Sequence, residues 1–179
     1  MISLSALMIV FIALFAVIGA LRGWAKELIV TFSVIFAIFA NYVLDNFFHD
    51  QLAGVMNGSL QGQFFLQAGI LAILVVFGYQ TPNISRFAGN QRFAREHLQD
   101  MLLGLFIGAI NGYLIFGTLW YYMNAANYPL VAVIPPVPGT PAGEDALRWL
   151  GMLPPQWLVP PYIFVAVVIC FTALIALFV

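Results

Sequence analysis

From Ile2 to Leu21 the chain runs without a single charged side chain, and four more apolar stretches follow, at about 28–44, 64–79, 101–123 and 162–179. An α-helix rises about 1.5 Å per residue and the hydrocarbon core of a bilayer is about 30 Å thick, so roughly 20 apolar residues cross it. The expected fold is therefore an all-α polytopic transmembrane helical bundle of about five spans. Four is the alternative, because the third stretch is short and needs local thinning or burial against neighbours to cross. Composition argues the same way. Only 7% of the 179 residues are charged, against about a quarter in a soluble domain, so most of the surface must face lipid or protein. A net charge of −1 offers no basic face to phosphates, which sets nucleic acid aside.

Basic residues in short loops mark the cytoplasmic side. Arg22 and Lys26 follow the first span and Arg86, Arg92 and Arg95 follow the third, whereas Asp45 and Asp50 follow the second and Arg148 is the one base in the loop after the fourth. Five spans with the N-terminus outside and the C-terminus inside fit every loop. A secretory signal peptide would carry its positive charge before the apolar run, not after it, so the first span is expected to be a retained N-out anchor. The tryptophans and tyrosines are expected at the interfaces, Trp24 on the inner side and Trp120, Tyr121, Tyr122, Trp157 and Tyr162 on the outer.

In the fourth span Gly104, Gly108 and Gly112 recur every four residues, and the end of the first span has Ala16, Gly19, Ala20 and Gly23. Residues four apart share a helix face, so both spans present a groove that another helix can approach closely. Asn111 lies beside that face in the middle of the fourth span and is expected to act as interhelical glue. Chemistry is sparsely provided. His49 and His97 fall on opposite sides of the membrane, and Cys170 sits alone in an apolar run. The sequence contains no metal-binding or phosphate-binding pattern and no nucleophile elbow. The expectation is a protein without catalytic, cofactor or metal residues.

Two polar connections remain. The loop after the third span mixes Phe87 and Phe93 with Arg86, Arg92 and Arg95, which suits a segment lying at anionic headgroups. Residues 124–161 hold nine of the ten prolines, so this outer loop is stiff and extended. One short helix is expected within it, with Thr140 as cap, Pro141 in its first turn, Glu144 and Asp145 at its positive end and Gly151 at its stop. Trp149 and Trp157 are candidates for docking a partner; the competing reading is a lid resting on its own helices.

Two segments carry a resemblance. RGWAKEL, Arg22 to Leu28, resembles the Arg-Gly-aromatic-x-basic-Glu signature of the colicin V production protein (CvpA) family. DMLLGLFIGAING, with Asp100, Leu103, Gly104, Gly108 and Gly112, resembles that family's Asp-Arg-x-Leu-Gly-x-x-x-Gly-x-x-x-Gly helix, with Met101 and Asn111 where arginines are common. The resemblance covers about residues 1–123, as a membrane domain of four spans, followed by the proline-rich loop 124–161 and a last helix 162–179. It implies a non-catalytic multi-pass inner-membrane protein linked to toxin export and envelope integrity. Carried over, Arg22, Gly23, Lys26 and Glu27 form a cytoplasmic elbow, with the bases able to meet anionic lipid, and Gly104, Gly108 and Gly112 form the packing face.

The expected role is a scaffold or assembly protein whose partners are membrane lipids and either other membrane-protein chains or further copies of itself. An accessory subunit of a respiratory or photosynthetic complex is the first alternative, and a small-solute channel the second.

Overall fold

The computed structural model describes residues 3–48, 59–80, 94–131 and 133–178. Every regular element among them is a helix: α1 Leu4–Arg22, α2 Trp24–Phe47, α3 Leu60–Tyr79, α4 Ala94–Ala125, α5 Pro141–Leu150, α6 Pro154–Trp157 and α7 Tyr162–Phe178. Four of them, α1, α2, α3 and the part of α4 from His97 onward, are long and apolar enough to cross a membrane. The fifth expected span, α7, has 17 residues and is shorter than any of these.

Local signals set the boundaries. Ser3 caps α1 by accepting from Ala6 N at 3.1 Å, and Ser59 caps α3 by accepting from Gly62 N at 3.0 Å. The Ser59 cap recruits Leu60–Gln63 into the helix, so α3 has 20 residues and the third stretch is not short. The connection between α1 and α2 is also tighter than six polar residues suggest, because WAKE joins α2 and Gly23 alone makes the turn, at φ +85°. Few other residues adopt that backbone.

α4 is the hub. It packs along most of α1 and against α2 and α3, whereas α1 and α2 barely touch despite being joined at Gly23. One end of the bundle, the elbow end, gathers Arg22, Gly23, the start of α2, the end of α3 and the start of the spanning part of α4. At the opposite, loop end, Met8, Phe64, Trp120, Tyr122, Met123 and Leu153 form one buried cluster. Val30, Val34, Ile38, Leu71, Leu114, Leu158 and Ile163 form a second, into which α7 docks on α2.

The proline-rich loop lies on its own helices. Ala146, Leu153 and Leu158 are buried, and Trp149 and Leu150 pack against the first cluster. The expected short helix is α5, capped by Thr140, which accepts from Gly143 N at 3.1 Å, with Pro141 in its first turn. Trp120, beside Tyr128 of the loop, and Tyr122, against Asn41 of α2, are buried core residues, 0% and 4% exposed, and not the headgroup anchors that their positions near the end of a span suggest. The indole of Trp120 donates instead to Tyr128 Oη at 3.2 Å. Tyr128 follows Asn127 in the turn that stops α4, both at φ 55°, and its burial raises the hydroxyl pKa above the ordinary tyrosine value.

Candidate functional site

Glu27 lies four residues into α2, on the side facing α4, and is wholly buried. Taking a carboxylate out of water costs several kcal/mol unless opposite charge and donors meet it. Three elements supply them. Arg22, from the end of α1, places Nη1 2.6 Å from Oε1. Asn111, from the middle of α4, donates through Nδ2 to Oε2 at 2.8 Å and to the Glu27 carbonyl oxygen at 3.0 Å. The Tyr79 hydroxyl, at the end of α3, stands 3.5 Å from Oε2. Thr31, one turn further along α2, has its hydroxyl 2.7 Å from Asn111 Oδ1 and 3.0 Å from the Glu27 carbonyl oxygen, with one proton to give to either.

Arg22 is fixed in turn. Its Nη2 donates to the Tyr79 carbonyl oxygen at 3.0 Å, and its guanidinium lies 4.3 Å from the centre of the Tyr79 ring, within cation–π range. It keeps 19% of its side-chain surface exposed, so this end of the network reaches the bundle surface. The elbow is therefore not an open headgroup cluster: Glu27 turns inward, and its charge ties α1, α2, α3 and α4 together.

Asp100 completes the elbow. The first turn of α2 has no capping side chain of its own, and Asp100 Oδ1, from α4, accepts from Trp24 N at 3.2 Å. A carboxylate at a helix N-terminus meets unpaired N–H groups and the positive end of the dipole. A Cβ on Gly23 would come within 2.6 Å of Asp100 Oδ2, so a side chain there would push the carboxylate from its capping position, in addition to the strain of the positive φ.

The predicted packing glycines fall on one seam, between α1 and α4, whereas Asn111 faces Glu27 and Thr31 of α2. Gly104 and Gly108 meet Gly19 backbone to backbone, and Gly112 meets the α1 backbone at Phe11 and Ile12. Lys26 stands one residue from Glu27 in α2, partly buried. Arg86 and Arg92 lie outside the described residues, as does His49, and of Arg95 only its place in α4 is described. Trp149 is half-buried against the bundle, and Trp157, about half exposed, donates from its indole to Tyr113 Oη at 3.1 Å. The Tyr113 hydroxyl donates to the Met152 carbonyl oxygen, so these contacts fasten the loop to α4.

A second polar group has no counterpart among the predicted residues. Near the loop end Asn41 Nδ2 donates to the Gln67 carbonyl oxygen at 3.2 Å and to Tyr122 Oη at 3.0 Å. Gln67 Nε2 donates to Asp45 Oδ2 at 2.7 Å. The signal was present: Asn41 and Gln67 are amides inside apolar spans, and such groups seek partners on neighbouring helices.

An all-helical bundle with four membrane-length apolar helices, a buried ion pair and a backbone-close helix seam defines a polytopic membrane protein. The chain belongs to the colicin V production protein family, whose model matches residues 4–134 and so reaches past α4 into the proline-rich loop. Comparison with curated proteins and with solved structures gave no match.

Proposed function

We propose that this chain is a non-catalytic scaffold or assembly protein of the inner membrane, with its N-terminus outside and its C-terminus inside, serving toxin export and envelope integrity as membership of the family suggests. One observation carries the reading. The loop end is a platform fastened to α4 through Tyr113, and it turns large apolar side chains outward: Val131, Ile134, Val137, Met152 and Trp157. Apolar groups gathered on a rigid segment beyond the spans favour contact with another chain. The partner is a further membrane-protein chain or a second copy, with lipid around the remaining faces.

Extraction of the tagged protein from its native membrane in mild detergent, followed by native mass analysis, tests this. The expected species is a defined assembly, homo-oligomeric or with other chains, that Ile134→Ser with Val137→Ser weakens while helicity is unchanged. A monomer carrying only lipid, from wild type and variant alike, refutes it.

A further inference from the structure

The two polar networks lie on one seam. On α2, Glu27, Thr31, Val34, Ile38, Asn41 and Asp45 follow the spacing of a single helix face, and on α4 so do Asn111, Leu114, Thr118 and Tyr122. The Asn111–Glu27 bond at 2.8 Å and the Asn41–Tyr122 bond at 3.0 Å pin these two faces together near either end. Thr118 therefore lies between the pins. It is fully buried, Asn41 is 2% exposed, and among the described residues Thr118 Oγ1 and Asn41 Oδ1 have no hydrogen-bond partner. Buried polar atoms in a folded protein nearly always have one, and where the protein supplies none, water does.

The seam also has the length of a membrane. From Glu27 to Asp45 along α2 is about 27 Å at 1.5 Å per residue, close to the hydrocarbon thickness. Both ends approach the surface, at partly exposed Arg22 and at partly exposed Asp45. The longest break on the α4 side runs from Asn111 to Thr118, about 10 Å. Val34, Ile38 and Leu114, which pack in one buried cluster, fill it. Such an apolar collar between two buried polar networks closes a path by excluding water and opens it when water enters.

We propose that the α2–α4 seam is a proton path, gated by the collar of Val34, Ile38 and Leu114. A proton taken up at the Asp45 carboxylate passes through the hydroxyls of Tyr122 and Thr118, each both donor and acceptor, and through water admitted to the collar. It protonates the Glu27 carboxylate, then leaves past Arg22 to the opposite aqueous face. One proton enters and one leaves, only O–H bonds of the relay are exchanged, and Arg22 keeps its charge throughout, paired with the Glu27 carboxylate before the proton arrives and again after it leaves. This role is separate from docking, since a bundle without partners can still conduct.

The test is the purified full-length chain in liposomes loaded with a pH-reporting dye, under a valinomycin-clamped potassium potential. Wild type should acidify the interior faster than protein-free vesicles do, and Leu114→Ser, which puts a hydroxyl in the collar, should be faster still. Thr118→Val and Glu27→Gln should fall to the protein-free rate, while Thr118→Ser should keep the wild-type rate. Far-UV circular dichroism and a monodisperse profile establish that each variant is folded. Wild type and Leu114→Ser both at the protein-free rate would overturn the proposal. So would Thr118→Val conducting as wild type does, or vesicles that pass potassium as readily as protons without the ionophore.

Discussion

Replacing Gly108 by alanine tests the seam between α1 and α4 with one methyl group. The new carbon would overlap the Phe15 carbonyl oxygen and stand 2.9 Å from Gly19 Cα and 3.1 Å from Gly19 N. All three are backbone atoms, so no side chain can swing aside. Carbon atoms pack at about 3.5–4.0 Å and the carbonyl overlap is the tighter contact, so α1 must retreat by about 1 Å, and a gap of that size forfeits a quarter to a half of each dispersion contact it opens. Overpacking of this kind costs about 1–3 kcal/mol, whereas alanine in a helix interior gains up to about 1 kcal/mol over glycine. Gly69→Ala separates the two terms, since a Cβ there meets nothing within 4 Å. The difference between the variants is the packing cost alone, about 2 kcal/mol, or roughly 30-fold in the unfolding constant. Unfolding in mixed micelles titrated with a denaturing detergent, followed by circular dichroism, measures both. If Gly108→Ala unfolds with Gly69→Ala, α1 is not held by backbone contact and the reasoning fails.

Three further substitutions, two of them with a companion variant, probe the site and the lid. Arg22→Ala leaves Glu27 buried without its counter-ion and should cost about 3–5 kcal/mol; Arg22→Met with Glu27→Gln should recover most of that in the same unfolding assay. Asp100→Ala should remove the cap of α2 at a cost of about 0.5–2 kcal/mol, seen as faster hydrogen exchange at Trp24 and Ala25, while Asp100→Asn keeps an accepting oxygen and most of the protection. Tyr113→Phe deletes the hydroxyl that links Met152 and Trp157, so limited proteolysis should cut residues 151–161 faster while the helical signal is unchanged.

How much of this was legible in the sequence follows from the range of each interaction. The helices could be read because long apolar runs and caps such as Ser59 and Thr140 act within a few residues. The Gly104–Gly112 face could be read because helical period is local, but its partner, α1, is set about ninety positions away. The inward turn of Glu27 was hidden. RGWAKE looks like a wet loop when charge is counted along the chain, and only the single-residue turn at Gly23 swings Glu27 beneath Arg22, Tyr79 and Asn111. Trp120 and Tyr122 misled for the same reason, since nothing near them in sequence says that Tyr128 of the loop will meet the one or Asn41 of α2 the other. The capping role of Asp100 depends on α4 reaching the elbow, a tertiary fact.

The hub helix α4 meets its two main neighbours by different means, and the difference bears on why buried polar groups are tolerated here. Against α1 the contact is backbone on glycine, which is close, and a slip of either helix by a single residue would drive side chains into the facing backbone. Against α2 the facing residues are Val34, Ile38 and Leu114, apolar surfaces that pack almost equally well at several offsets. Lipid adds no preference, because its tails are as apolar as the side chains. The Glu27–Asn111 and Asn41–Tyr122 bonds remove that freedom, since a slide of one turn, about 5.4 Å, breaks both at once and takes from buried Asn111 and Tyr122 their partners on the Glu27 carboxylate and the Asn41 amide. Polar pairs at two separated points thus select one register of α2 on α4, a role buried polar groups are known to play in helical assemblies. On this argument an Asn41→Leu variant with Tyr122→Phe, which keeps the Glu27–Asn111 pin, should hold its register at the elbow and lose it toward the loop end, which spin labels paired across α2 and α4 would report as a sharp distance distribution near Glu27 and a broadened one near Asn41.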